Sequence, residues 1–200
     1  SGVPSLSAST VSAIPVPLPP LPEQQKIAEI LSTVDEHISE TETLIEKTKV
    51  LKQGMMQRLL TQGIGHTEFK DTEIGRIPAE WEIHSLEEVK SLGRYSMAGG
   101  PFGSDLKKID YCSTGVRIIQ LQNIGDGSFL NDYKIYTSHE KADELLKCNI
   151  YPGDIIIAKM ADPVARACII PTIESRYLMA SDGIRLKVDN EHHDTKFIMY

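Results

Sequence analysis

Prolines stand at positions 15, 17, 19, 20 and 22, and after them neither proline nor glycine occurs until Gly54. That contrast constrains the chain more than any other feature. Proline has no amide hydrogen and a fixed φ, so this run forbids helix and allows at most an edge strand or a polyproline path. Pro22 suits the first turn of a helix, where its missing N–H has no intrahelical partner, and Glu23 adds negative charge at the positive end of the dipole. Apolar residues then recur at Ile27, Leu31, Val34, Ile38, Ile45, Met55 and Leu59, at spacings of three and four or their multiples. Thr41, Thr48 and Lys52 occupy the intervening seam positions, with Leu44 and Leu51 one residue aside. The pattern predicts a helix over 22–62 that ends at Gly63 and Gly65.

A helix of ~40 residues is ~60 Å long. A domain of this size is narrower than that, so the body cannot cover the stripe along its whole length. A partner helix is expected, from another segment, another copy or another protein. The competing arrangement is a helix folded in two at Gly54 and packed internally.

From His66 the texture changes. Ile74–His84 reads as a turn leading into a short strand, with Trp81 anchoring the surface to the core. Strand-like runs follow at 117–122, 153–159, 167–170 and 183–188, with one short helix over 138–146 and the first turn of another at 195–200. Loops rich in Gly, Asn and Asp separate them. The fold class is therefore α+β: a long coiled-coil-type spacer helix joined to a mixed, strand-rich domain.

Composition narrows the function classes. A net charge of −7 argues against coating nucleic acid through bulk positive charge but leaves room for a local basic face. The three cysteines, Cys112, Cys148 and Cys168, form no CxxC pair and no Cys/His cluster, so free thiols in a reducing cytoplasm are expected. No apolar stretch has the length of a membrane span. No G-x-G-x-x-G loop, Walker-type loop or nuclease-like carboxylate pair is present, so neither a cofactor nor a catalytic residue is expected.

The run Pro17-Leu-Pro-Pro-Leu-Pro-Glu-Gln-Gln-Lys-Ile-Ala-Glu-Ile-Leu31, continued by Val34-Asp-Glu-His-Ile38, resembles the central conserved region of DNA-specificity subunits of type I restriction-modification systems. Gly75-Arg-Ile-Pro-Ala-Glu-Trp81, Gly99-Gly-Pro-Phe-Gly-Ser104, Gly153-Asp-Ile-Ile-Ile-Ala-Lys159 and Ala180-Ser-Asp-Gly183 resemble the opening, glycine loop and core strands of that family's target-recognition domains. The resemblance implies an extended tail of a preceding recognition domain over 1–21, a conserved spacer helix over 22–65 and a C-terminally incomplete recognition domain over 66–200. It implies double-stranded DNA, methyltransferase subunits and restriction subunits as partners, and a second spacer helix from the same longer chain or another copy. Chemistry would belong to the partners. The chain is expected to be either the middle of a longer subunit or a half subunit that a second copy completes.

A DNA reader needs donors and acceptors on loops that fit a groove, together with phosphate contacts that fix register. The segment 94–108 supplies Arg94, Ser104, Lys107 and Lys108 around a glycine-rich turn; a turn packed under Phe102 is the structural alternative. Gln120, Gln122 and Asn123 carry amides suited to adenine or to satisfying a turn, and Gln122 and Asn123 are taken as DNA contacts. Lys159 and Arg166 flank a proline turn, which suits a DNA-facing loop or an ordinary surface hairpin, and complete the set. Arg117, Arg176 and Arg185 are isolated, with structural or solvated roles expected. His192 and His193 lack a third ligand in the sequence, so no metal is expected. Two other classes compete: a coiled-coil adaptor with a protein-binding head, and a small enzyme using Cys112 or Cys168 with His84 or His139 as base.

Overall fold

The structure, a computed structural model, describes residues 6–200 and divides into two compact units, 1–80 and 81–200. In the first unit, α1 (Ala8–Ser12) is a single turn capped by the Ser7 hydroxyl, which accepts from the Thr10 N–H at 3.1 Å. This corrects the extended path expected over 1–21, which is helical at 8–12 and free of helix and strand over 14–20; residues 1–5 lie outside the described residues. The Ser7 cap accounts for the difference, because an N-cap hydroxyl takes up a first-turn N–H that helix formation leaves without a partner.

Helix α2 (Leu21–Gln62) runs unbroken through Gly54, so the helix is not folded in two. Pro20 is its N-cap residue and Gly63, at φ 64°, ends it. None of its 42 residues is buried. The expected seam is accordingly open: Ile27, Leu31, Val34, Ile38, Ile45, Met55 and Leu59 are all exposed, as is Ile30, which the sequence reading left out. The two seam threonines donate their hydroxyls to the carbonyl four residues back, Thr41 to His37 and Thr48 to Leu44, each at 2.7 Å. Strands β1 (Phe69–Thr72) and β2 (Gly75–Pro78) form an antiparallel hairpin that closes this unit.

The second unit packs two sheets. Strands β3 (Met97–Gly99), β4 (Tyr111–Cys112), β5 (Val116–Ile119), β6 (Ile135–Thr137), β7 (Asn149–Ile150), β8 (Ile155–Ala158), β9 (Ala167–Ile169), β10 (Tyr177–Met179) and β11 (Gly183–Leu186) sort into a five-stranded sheet, β4-β6-β5-β10-β7, and a four-stranded sheet, β3-β11-β8-β9. Only the β5–β10 pairing is parallel.

Strand alternation explains how one chain feeds three apolar clusters, because successive side chains point to opposite faces. Ile119, Tyr177 and Met179 of the first sheet meet Ile156, Ala158 and Cys168 of the second in a shared core. The intervening Ile118 and Leu178 pack on the opposite face with Leu106, Ala142 and Cys148. Ile155 and Leu186 face the far side of the second sheet, covered by Ile198 and Met199 of α5 (Thr195–Met199). Two further short helices, α3 (Leu86–Val89) and α4 (His139–Glu144), carry Ser85 and Ser138 as N-caps. Trp81 is half-buried.

Candidate nucleic-acid interface

Strand β3 delivers the glycine loop to the surface. The Gly100 N–H donates to the Gly183 carbonyl at 2.9 Å, and a Cβ at Gly100 would lie 1.8 Å from the Ala180 carbonyl oxygen. Only glycine fits that approach. Pro101 is buried directly after it, and Phe102 then projects with 76% of its surface exposed. The turn closes through the Asp105 N–H, which donates to the Phe102 carbonyl at 2.9 Å. Phe102 therefore does not pack over the turn, contrary to the structural alternative.

Two depressions share Pro101, Phe102, Gly103 and Ser181. The first, of about 460 Å³, is lined also by Tyr95, Gly99, Lys147 and Lys159. The second, of about 200 Å³, is lined also by Tyr111, Gln120, Gln122 and Asp182. Of the sequence-predicted residues, Lys159 and Gln122 line these hollows. The Lys159 ammonium donates to the Ser181 carbonyl at 2.8 Å, and a Cβ on Gly99 would come within 3.0 Å of it, so the bare glycine keeps that position open. Gln122 is exposed, whereas Gln120 donates to the Tyr111 hydroxyl at 3.2 Å.

The remaining predicted residues divide into surface and structural groups. Arg94 is exposed and stacks on Tyr95 at 4.6 Å from the ring centroid, next to the first depression. Ser104 donates to Asp105 at 3.1 Å, and Lys107 and Lys108 are exposed at the start of a short 3₁₀ turn, Lys108–Asp110. Asn123 is fully buried. Its amide donates to the carbonyls of Leu130 and Tyr133 at 3.0 and 2.8 Å, while its oxygen accepts from the Gln120 N–H at 3.1 Å. This overturns its expected contact with DNA, because the side chain already satisfies the loop backbone around it. Arg166 is half-buried and donates to the Leu121 carbonyl at 3.0 Å, so it ties two loops together rather than standing free for phosphate.

The isolated arginines also resolve. Arg117 is buried and donates to the Asn131 side chain and to the Asn131 and Tyr133 carbonyls. Arg185 is buried against Asp154 at 2.7 Å; burial pushes the Asp154 carboxyl above its usual range against the opposing pull of the Tyr151 N–H and Arg185. Arg176 pairs with Asp143 at 2.6 Å. Burial raises the Cys168 thiol to about 11 and also raises Cys148, which leaves both protonated at neutral pH and ill-suited as nucleophiles. Cys112 is exposed. The structure does supply acidic neighbours for His192: Asp189 and Glu191 lie with it within 4.8 Å, while His193 is outside the group. Asp189 holds the imidazole through a 2.8 Å hydrogen bond that raises the His192 pKa.

Residues 1–52 match the family model described as the type I restriction modification DNA specificity domain. Across its full length, the chain is 32% identical to the type I restriction enzyme MjaVIII specificity subunit of Methanocaldococcus jannaschii, of which it covers 46%. Over its whole length the chain is thus similar to a type I specificity subunit. A second protein of the same archaeon, provisionally named the type I restriction enzyme MjaX specificity subunit, is 34% identical over 93% of the chain and 42% of its own length. The chain thus spans less than half the length of these curated relatives. The HsdS subunit crystal structure from Thermoanaerobacter tengcongensis covers 98% of this chain and 45% of that chain at 19% identity and a TM-score of 0.48, a likeness too loose to argue from.

Within the 81–200 unit, the sequence reading gives Phe102 only as a residue packed over the turn and does not include Lys147. Phe102 carried a signal, since an aromatic between Gly100-Pro101 and Gly103 sits at a turn tip. Lys147 carried none; it reaches the site because the 3₁₀ turn Leu146–Cys148 packs beside β3.

Proposed function

We propose that this chain is the DNA-recognition portion of a type I restriction-modification complex, reading part of a bipartite site with its 81–200 unit and positioning methyltransferase and restriction subunits. The observation that carries this reading is the alignment of the whole chain with a protein named as a type I restriction enzyme specificity subunit. The geometry supports it: the glycine loop sets an exposed amide, Gln122, and an ammonium, Lys159, around one turn tip, which is the pairing of base-edge and phosphate contacts that sequence reading requires. Arg94, Ser104, Lys107 and Lys108 extend the surface available to phosphates.

In this reading 1–21 is the tail of a preceding recognition domain, 22–65 the spacer and 66–200 a recognition domain. The open seam of α2 takes a second spacer helix, from the same longer chain or from another copy. The chain is non-catalytic, methylation and cleavage being carried by partner subunits. The cytoplasm is its place of work, in keeping with free thiols and with the absence, among the described residues, of any helix long and apolar enough to cross a membrane.

The test is binding to a random-sequence duplex pool, with and without a methyltransferase subunit, across a salt series. Affinity that falls steeply with salt, and selection of a defined sequence from the pool, are expected. No salt-dependent affinity in either condition sinks the proposal.

A further inference from the structure

The geometry points to Phe102 as a stacking residue that receives a DNA base on its ring, with Lys147 and Lys159 holding the adjoining phosphates. This rests on the DNA-recognition reading above and names the side chains that would do the work. A singly exposed apolar residue is ordinary on protein surfaces, so exposure alone carries nothing. What distinguishes Phe102 is its mounting. Gly100 is seated against the Ala180 carbonyl, Pro101 is buried, and the Asp105 N–H locks the turn from the other side, so the ring stands on a rigid base. A preorganised aromatic loses little freedom on binding.

The polar groups around the ring are sorted by charge. Lys147 and Lys159 line the larger depression, and the Lys147 ammonium lies 5.8 Å from the Phe102 centroid. A cation over one face of an aromatic ring is attracted to it and leaves the other face for stacking. The smaller depression has no lysine or arginine; it holds the Gln122 amide and the Asp182 carboxylate instead. Phosphate is repelled by that carboxylate and drawn to the lysines, whereas base edges present amino donors that a carboxylate or amide accepts. Phe102 sits at the boundary between the two, where the sugar–phosphate strand passes from backbone to base. A duplex DNA strand matches this order of cation, aromatic and acceptor. An acidic protein surface matches only the lysines.

The experiment uses the full chain with a random-sequence duplex pool in which some adenines are replaced by a fluorescent adenine analogue that brightens when unstacked from its neighbours. Phe102→Ala should bind roughly tenfold more weakly, with the salt slope unchanged and the fluorescence response lost. Phe102→Trp should retain both affinity and response. Lys147→Ala should lower the salt slope by about one and keep the response. Wild-type affinity and fluorescence in Phe102→Ala overturn this inference and leave the DNA-recognition reading standing. An acidic protein that displaces DNA in proportion to the lysines alone, with no response from Phe102, overturns it as well. A wild-type chain without salt-dependent DNA binding overturns both.

Discussion

Helix α2 carries 42 residues and buries none of them, whereas the four residues of β5, Val116–Ile119, are all buried, an arginine among them. The two regions have similar access to apolar side chains. They differ in whether the second surface needed to bury those side chains lies within the same unit. In the strand-rich unit, opposite faces of each strand meet different clusters, so apolar and polar residues alike find partners. In the helix, the stripe faces solvent, and its stability as a helix rests on unbroken propensity and on local pairs such as Lys26–Glu29 and Lys49–Glu46.

This comparison can be broken by substitutions of matched chemistry. The largest effect is expected from Arg185→Met, which leaves the Asp154 carboxylate buried without its cation and should cost about 3–5 kcal/mol in urea unfolding at neutral pH. Burial already raises the Asp154 pKa in the folded state, and loss of Arg185 raises it further. A raised folded pKa means stability present below the ordinary Asp value of about 3.9 and lost as pH rises through the folded value. Melts across that range should therefore show the variant's deficit growing toward neutrality; a deficit constant with pH contradicts the assignment.

Next, Ile156→Ala, at a residue with no exposed surface between the sheets, should cost about 2–5 kcal/mol by the same measurement. Asn123→Ala removes a fully buried amide and its hydrogen bonds to the loop carbonyls of Leu130 and Tyr133, and should cost about 1–3 kcal/mol. If Asn123 were instead a base reader, its loss would change sequence selection and leave stability untouched. The smallest effect is expected from Ile38→Ala in α2, within about 0.5 kcal/mol by helix melting for the chain alone. A cost near that of Ile156→Ala would show that the seam is already covered in solution, and the solution mass measured in parallel by sedimentation in the ultracentrifuge would identify a second copy.

The legible parts of this fold are those with strong local punctuation. Proline before and glycine after bounded α2 to within one residue, and the runs at 153–159 and 183–188 contained β8 and β11 because consecutive Ile or alternating apolar residues mark buried strands. The strand β10 was missed. Tyr177-Leu178-Met179 is only three residues long, and it is central because β5 and β7 close on either side of it, a fact of pairing rather than of local pattern. The site divides in the same way. Lys159 and Gln122, which line the candidate depressions, stand in the sequence as polar residues closing apolar runs. Asn123 was misread since an amide beside a turn looks the same in sequence whether it faces a base or a neighbouring carbonyl, and only burial separates the two.

The seat of Gly100 against Ala180 has a consequence for how such a protein can change. Any side chain at that position would collide with a strand-end carbonyl, so drift there is closed unless the sheets spread. Two residues further out the opposite holds: Phe102, Gly103 and Ser104 are exposed, and a new residue at these tips meets solvent. The joint thus acts as a fixed tool holder with an exchangeable bit. On the DNA-recognition reading proposed above, a lineage that needs a new target could replace the tip in single steps without first rebuilding the frame that aims it.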